Sequence, residues 1–266
     1  MHWIIQDNLH REVGHARLIE TLERFSIPHT EVKCVPFSHG LPLEERIIPL
    51  VQPEGLVMVC GSITLAQVAQ QAGWTPGSFH NDNHDYRAWS QHLGPHLLNA
   101  DSVVCRFGDV DDRWEEFFIR PCGDTKSFTG KCYDYMEFET WRRQVVDLKE
   151  TYTTLDADTM VMYGPMKHIY REARFFVVDG EVVTASTYKL GPRAHQTAEV
   201  PPTMWDYARR MTKLWQPARA YVMDLALTDD ADDGYNKIVE FNCINAAGFY
   251  EIDMQRFVMS IEAMEF

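Results

Sequence analysis

Three oxygen-bearing side chains near the carboxyl end of the chain have the types and spacing of a divalent-cation site. Asp224 lies in the strand-like run from Tyr221 to Leu227, and Glu240 and Asn242 lie two residues apart in the next such run. Residues two apart on a strand share a face, so Glu240 and Asn242 should lie side by side, and Asp224 can meet them from a partner strand in suitable register. Carboxylate and amide oxygens are suited to Mg²⁺. A solvated acidic hairpin face is the alternative interpretation.

The acidic segment between these runs, Asp229 to Gly234, predicts the turn of an antiparallel hairpin. Counted from Asp229, Gly234 and Glu240 fall where an EF-hand calcium loop has its glycine and its last glutamate. The third place, however, is Ala231, and the flanking runs alternate as strands where an EF-hand has helices. We therefore predict a strand pair at this point and not a calcium loop.

A second group of residues has the chemistry of a phosphate site. Arg120 stands near the end of a predicted strand, Glu116 to Pro121, and Lys126 and Lys131 follow it in a loop of small residues. Cationic side chains and the open backbone N–H groups of such a loop suit phosphate oxygens. An exposed basic turn is the alternative interpretation.

A charged pair interrupts an otherwise apolar strand further along the chain. Glu172 and Arg174 lie on one face of a strand that leads to Asp179-Gly180, the kind of two-residue turn favoured in hairpins. The return strand carries Ser186 and Tyr188. The pair belongs either to an exposed edge or to the wall of a polar pocket.

The hydrophobic pattern predicts the elements that position these residues. In the first third of the chain, strand-like and helix-like runs alternate, and the run from Gly55 to Gly61 is apolar on both faces, as in parallel sheets. This indicates a β-α-β-(α)-β-α doubly wound domain, with a short helix at Leu43 to Leu50 and a helix capped by Ser62. Its glycines match neither a G-x-G-x-x-G nor a Walker loop.

The segment from Gly73 to Asn99 is predicted as a connector, because Gly, Pro, Asn and His are frequent in it. His80 and His84 have a spacing that binds metal on a helix, but no helical pattern surrounds them, and a loop is favoured. Three further helices are expected, with N-caps at Thr140, Thr203 and Asp253.

Composition limits the class of protein. The chain has 266 residues and a formal net charge of −14, which argues against a broad surface for nucleic acid or anionic membranes. No apolar run approaches the roughly 18 residues of a membrane helix, and the N-terminus lacks a signal-peptide layout. The six cysteines are scattered, which favours buried thiols over zinc or disulfides. We predict a soluble, cytoplasmic protein, and the sequence contains no indication of oligomeric state.

The order of the three groups resembles the ATP-grasp superfamily, specifically its RimK-like branch of small bacterial and phage proteins with arginine at the lid-strand position. The resemblance runs from the segment Arg120 to Lys131 through Glu240-Phe241-Asn242 to Gly248-Phe249-Tyr250. It implies an α/β (α+β) ATP-grasp fold with a pre-ATP-grasp α/β domain at 1–110 and an ATP-grasp domain at 111–266. The latter would contain a small lid at about 112–160 and a catalytic lobe with a mixed or antiparallel sheet at about 161–266.

The resemblance also implies site residues. ATP and Mg²⁺ are the implied cofactors, and the Mg²⁺ ligands would be Asp224, Glu240 and Asn242. Arg174 and Arg120 would act in catalysis, with Arg174 facing the transferred phosphoryl group. The residues that would contact ATP are Arg120, Lys126, Lys131, Met162, Tyr163, Glu172 and Lys189, with Met162 and Tyr163 at the adenine.

The implied function is an ADP-forming ligase that activates a carboxylate as an acyl phosphate and joins it to an amine or thiol. Its substrates would be small molecules or peptides, and no stretch identifies them, although the segment Gly73 to Asn99, with Tyr86 and Trp89, is a candidate for shaping their pocket. A nucleotide-binding regulatory module and a phosphotransferase are the alternative functions.

Overall fold

The computed structural model describes residues 1–8, 13–35, 41–124, 127–149, 154–229 and 235–266. Within these residues the strands are β1 (His2–Gln6), β2 (His29–Cys34), β3 (Ile47–Ile48), β4 (Val57–Cys60), β5 (Pro76–Gly77), β6 (Val103–Arg106), β7 (Glu116–Pro121), β8 (Lys131–Asp134), β9 (Met160–Pro165), β10 (Ile169–Val178), β11 (Glu181–Leu190), β12 (Arg193–Thr197), β13 (Ala220–Thr228) and β14 (Asn236–Cys243). The helices are α1 (Val13–Arg24), α2 (Ile63–Gln71), α3 (Tyr86–Leu93), α4 (Tyr135–Val146), α5 (Pro202–Leu214) and α6 (Met254–Glu262).

The first sheet has the order β3-β2-β1-β4-β5, and β1 pairs in parallel with both β2 and β4. Alternate side chains of β1 enter different cores: Trp3 packs with residues of α1, and Ile4 packs with residues of α2. Helices therefore cover both faces, as in a doubly wound sheet. Strand β4 is buried along its whole length, which explains its unbroken apolar run.

Two details of this sheet differ from the sequence prediction. Only Leu43–Glu45 forms a helical turn of the predicted helix, and Ile47–Ile48 instead adds an antiparallel edge strand to β2. Paired β-branched residues followed by proline favour that outcome. Ser62 lies at the N-cap of α2, but its side chain makes no capping bond; its backbone N–H donates to Gln6 Oε1 at 2.9 Å.

The second sheet, which we call the lid sheet, has the antiparallel order β6-β9-β7-β8 and is covered by α4. Its core is aromatic, with Phe107, Phe117 and Phe138 fully buried. The predicted cap at Thr140 is wrong, because α4 begins one and a half turns earlier. Asp134 caps it by accepting a hydrogen bond from the backbone N–H of Glu137 at 2.9 Å.

The third sheet, the lobe sheet, has the antiparallel order β12-β11-β10-β13-β14. Residues of α5 pack in the core on one face and residues of α6 pack in the core on the other. Pro201 occupies the N-cap of α5, so the predicted cap Thr203 lies inside the first turn, whereas Asp253 caps α6 as predicted. The turn at Asp179 and Gly180 has positive φ at both residues, as a two-residue hairpin turn requires.

The segment between the first sheet and the lid sheet is not the structureless connector that the sequence predicted. It contains α3, whose residues Tyr86, Trp89 and Leu93 form one buried face. The rings of His80 and His84 stack with their centroids 5.8 Å apart. In the part of the chain that the structure describes, no helix is both long and apolar enough to cross a bilayer.

Candidate nucleotide and metal site

A cavity of about 850 Å³ lies between the lid sheet and the lobe sheet, within the size range of small-molecule sites. On the lid side it is lined by residues of β7, β8 and the loop between them, and on the lobe side by residues of β10, β11 and β14. Both signs of charge face it. The charged residues that line it are Arg120, Asp124, Lys131, Lys167, Glu172, Lys189 and Glu240.

The lobe sheet brings together the three predicted metal ligands. Strands β13 and β14 pair with Asp224 directly opposite Glu240, and Asn242 follows two residues later on the same strand. The Asn242 amide Nδ2 donates to Glu240 Oε1 at 2.8 Å. Two carboxylates and an amide therefore share one face of two neighbouring strands.

A β-bulge directs this part of β14 toward the cavity. The pairing shifts between Asp224, which lies opposite Glu240, and Leu225, which lies opposite Ile238. Val239 is the extra residue, and both Val239 and Glu240 line the cavity. A bulge changes the direction of the strand at one point, which explains how two consecutive side chains reach the same space.

Arg174 and Asp224 form a buried ion pair on neighbouring strands. Arg174 donates from Nε to Asp224 Oδ1 at 2.9 Å and from Nη2 to Oδ2 at 2.8 Å, and its Nη1 donates to the Gly248 carbonyl at 3.2 Å. Burial raises the pKa of Asp224 to about 6 although Arg174 opposes the shift. Burial opposes the charge of Arg174 too, but Asp224 outweighs it and keeps the pKa of Arg174 well above its usual value. The pair is therefore ionised at neutral pH.

Arg120 of the lid sheet reaches across to the lobe sheet. Its guanidinium Nη1 forms an ion pair with Glu240 Oε2. Its Cζ also lies 5.7 Å from the centre of the Trp89 ring. One arginine thus connects the predicted phosphate loop to a predicted metal ligand.

Glu172 lies on the cavity wall between two partners on β11. Lys189 Nζ is 2.6 Å from Glu172 Oε1, and the Tyr188 hydroxyl donates to Glu172 Oε2 at 2.8 Å. Burial raises the pKa of Tyr188 well above 10, so this hydroxyl remains a neutral donor. The Tyr188 ring stacks on Tyr250 at 5.0 Å and lies 5.6 Å from Arg174 Cζ. The pocket-wall interpretation of Glu172 and Arg174 therefore fits the structure better than an exposed edge does.

The structure places the predicted adenine contacts elsewhere. Met162 is fully buried in the core shared with the lobe sheet, and Tyr163 is buried in the aromatic core of the lid sheet, where its hydroxyl donates to Asp111 Oδ1 at 2.7 Å. Neither side chain lines the cavity, so these two assignments need correction. Strand β9 continues to Pro165, and the link to β10 contributes Lys167 and His168 to the cavity wall.

The sequence analysis missed Lys167, His168 and Tyr170 because they stand just after an apolar strand and look like ordinary surface residues. The available signal was the first polar residues that follow Gly164 and Pro165. Lys131 lines the cavity at the start of β8, with its Nζ 4.5 Å from the centre of the Tyr133 ring. The predicted contact Lys126 lies outside the described residues.

The donor set fits a magnesium ion. Asp224, Glu240 and Asn242 offer oxygens, which Mg²⁺ prefers, and they lie on paired strands of a rigid sheet. The cations Arg120, Lys131 and Lys189 lie around the same cavity, where they can meet an anionic ligand. The arrangement therefore suits a polyphosphate bound together with a divalent cation.

Solved structures with the same fold include three enzymes or domains of the ATP-grasp class. D-cycloserine synthetase DcsG has a TM-score of 0.59 and 14% identity, covering 98% of this chain and 98% of that chain. D-alanine–D-alanine ligase from Bacillus anthracis has a TM-score of 0.58 and 12% identity, with 98% and 96% covered. A RimK domain ATP-grasp protein from Sphaerobacter thermophilus has 0.59 and 13%, with 93% and 92% covered. No curated protein matches the sequence.

These likenesses confirm the predicted ATP-grasp fold. A family described as an ATP-grasp domain, family 3 of its clade, matches residues 66–261 of the sequence. That match covers well over half of the chain and includes the lid sheet, the lobe sheet and the cavity between them. The chain therefore belongs to this family of ATP-grasp domains.

Proposed function

We propose that this protein is an ATP- and Mg²⁺-dependent ligase that activates a carboxylate as an acyl phosphate, releases ADP and joins the acyl group to an amine or a thiol. One observation carries the proposal: the cationic lid strand and the acidic strand pair face a single cavity, and the Arg120–Glu240 ion pair joins them. Membership of the ATP-grasp family supports the same conclusion.

The chain's own residues have separate roles in this proposal. Asp224, Glu240 and Asn242 would hold Mg²⁺, which supplies positive charge to the ATP phosphates when bound. Arg120 and Lys131 would bind phosphate oxygens from the lid side, together with Lys126. Glu172 and Lys189 would contact the nucleotide from the lobe side.

The proposed chemistry needs little covalent participation by the protein. A substrate carboxylate oxygen attacks the γ-phosphorus of ATP, the bond to the bridging oxygen breaks, and ADP leaves. The amine or thiol then attacks the acyl carbon, and inorganic phosphate leaves with the bonding electron pair. Arg174 would stabilise the negative charge that moves between the phosphoryl group and the carboxylate, and the lid would exclude water.

We also propose three functional units. The pre-ATP-grasp domain would be 1–110, the lid about 112–160 and the catalytic lobe about 161–266. The lid sheet spans Val103 to Pro165, and the proposed lid falls within it. The proposed cytoplasmic location stays a prediction.

The substrates are proposed only as a class. One structural neighbour is a D-alanine–D-alanine ligase, and another is the ATP-grasp ligase PsnB complexed with a minimal precursor, with a TM-score of 0.55 and 12% identity. Small-molecule and peptide carboxylates and amines are therefore both candidates.

A hydroxylamine trap tests the proposal without knowledge of the acceptor. The protein is incubated with ATP, MgCl₂, hydroxylamine and pools of amino acids, small carboxylic acids and peptides, and hydroxamate, ADP and phosphate are measured. We expect hydroxamate and ADP in at least one pool, and neither product with Glu240→Gln. A stable phosphorylated product without hydroxamate would indicate a phosphotransferase. Nucleotide binding without turnover in any pool would indicate a binding module.

A further inference from the structure

We infer that Trp89, on the helix α3 that precedes the lid sheet, is a positioning residue for Arg120 in the nucleotide site. The inference deepens the proposed function, since its effect on ATP affinity rests on the assignment of the cavity as a nucleotide site. It also explains how an arginine can be held at the lid-strand position.

The guanidinium of Arg120 has contacts of three kinds. Its Nη1 pairs with Glu240, its Nε donates to the Pro121 carbonyl at 3.4 Å, and its Cζ lies 5.7 Å from the centre of the Trp89 ring. A planar guanidinium binds aromatic rings and carboxylates at the same time, which a lysine ammonium does not do with the same geometry. Trp89 therefore limits the orientations that Arg120 can adopt.

Trp89 is itself held rigidly. The residue is fully buried, and its ring makes edge-to-face contacts with Tyr86, at 5.4 Å and 75°, and with Phe241, at 5.2 Å and 83°. Phe241 stands between Glu240 and Asn242 on β14. The ring beside Arg120 is thus packed against the same strand that carries two of the predicted metal ligands.

Helix α3 is also tied to the lid strand. The backbone N–H of Tyr86 donates to the carbonyl of Cys122, two residues beyond Arg120, at 2.8 Å. The Tyr86 hydroxyl donates to the Asn99 carbonyl at 2.6 Å. Because residues three apart on a helix share a face, this attachment also fixes Trp89 relative to Arg120.

Packing alone does not account for a tryptophan at this place. Its indole Nε1 is buried and has no hydrogen-bond partner among the described residues. A buried indole usually has such a partner, and a buried donor without one reduces stability. A phenylalanine would carry no such donor, but tryptophan is the stronger partner for a cation. The contact with Arg120 gives the indole a role that phenylalanine fills less well.

A double-mutant cycle measures this role through the Kd of Mg²⁺-ATP, determined by calorimetry. We expect Trp89→Leu to weaken binding about 3- to 30-fold, the range of a cation–π contact. On an Arg120→Lys background the same change should weaken binding less than about twofold, because the planar partner is gone. Equal losses on both backgrounds would show that Trp89 acts only through packing and would overturn the inference.

Trp205→Leu is the matched control for this cycle. Trp205 packs against the same hydrophobic core and lies 5.4 Å from an arginine, Arg209, but on α5. We expect it to lower the melting temperature and leave the Kd unchanged. Trp89→Phe, which keeps an aromatic ring, should retain most of the affinity and serves if Trp89→Leu folds poorly. A Trp89→Phe protein with the full loss would also contradict the inference.

A second measurement needs no nucleotide. In ¹H–¹⁵N spectra the Nε–Hε signal of Arg120, identified by its loss in Arg120→Lys, should carry a ring-current shift from Trp89. That shift should disappear in the Trp89 variants and persist in Trp205→Leu; an unmoved signal would overturn the inference. If the wild-type protein binds no ATP but the shift behaves as expected, the proposed function fails and the positioning of Arg120 by Trp89 still holds.

Discussion

Two arginine–carboxylate pairs lie on the same side of the lobe sheet, and they differ in how they are built. Arg174 and Asp224 lie opposite each other on adjacent strands of one sheet, with side-chain exposures of 10% and 1%. Arg120 and Glu240 belong to different sheets, with exposures of 12% and 24%. The first pair is part of the folded lobe, whereas the second joins two bodies that a nucleotide would separate or bridge.

The comparison shows that one kind of ion pair can serve two purposes. A charge buried beside a single partner cannot lose that partner without a large cost, so Arg174 and Asp224 hold each other in place. A pair closer to solvent contributes little to stability, so Arg120 can exchange Glu240 for phosphate oxygens. The predictions below begin with the largest difference between the two pairs.

Removing Asp224 should have the largest effect, and it should appear in stability. Asp224→Ala leaves the Arg174 guanidinium buried without its carboxylate, so we expect the free energy of unfolding to fall by about 3–5 kcal/mol. Glu240→Ala, measured in parallel by urea denaturation, should lower it by no more than about 1 kcal/mol. Equal losses in the two variants would mean that both pairs are structural.

Glu240→Gln should have the next largest effect, and it should appear in turnover. The amide keeps the size of the side chain but removes a charged metal ligand, so we expect Mg²⁺-dependent ADP formation to fall on the order of 100-fold or more. The urea midpoint should stay within error of the wild type. Asn242→Ala should act in the same direction, and undiminished turnover in both variants would remove these residues from the metal site.

Arg174→Lys should separate catalysis from binding. Lysine keeps the charge beside Asp224 but loses the bidentate geometry, so we expect kcat to fall about tenfold while the Kd of ATP changes less than about twofold. Arg120→Lys should show the reverse division, with a larger change in Kd than in kcat. If Arg174→Lys lowers only the melting temperature, Arg174 is a structural residue.

The smallest effect is expected at Lys189. Its side chain is 41% exposed and pairs with Glu172, so Lys189→Ala should weaken ATP binding less than about fivefold. Raising the salt concentration should reduce the difference between this variant and the wild type. A loss as large as that of Glu240→Gln would give Lys189 a direct role in the reaction.

The sequence predicted the metal-ligand trio well because its signal is local. Strand periodicity alone puts Glu240 beside Asn242, and the hairpin brings Asp224 opposite. The ion pairs could not be predicted in the same way. Periodicity gives the face of Arg174 but not its strand partner, and the Arg120 contact depends on how two sheets approach each other.

Two other errors have physical causes. The helix α3 was missed because its buried face of Tyr86, Trp89 and Leu93 spans only eight residues among loop-forming neighbours. Short helices depend on tertiary packing, which local propensity does not reveal. The adenine contacts were placed too early because an apolar run such as Met160 to Tyr163 predicts a strand but not the point where its side chains leave the core.

The bulge at Val239 has a consequence for insertions and deletions. A chain that lacks Val239 would keep every cross-strand partner of β13, since Asp224 would still meet Glu240 and Leu225 would still meet Ile238. Loss of Phe241 instead would move Asn242 by one place and turn it to the opposite face. Alignments of this family can therefore accept a one-residue gap at Val239 without loss of the acidic pair, but not one residue later in β14 at Phe241.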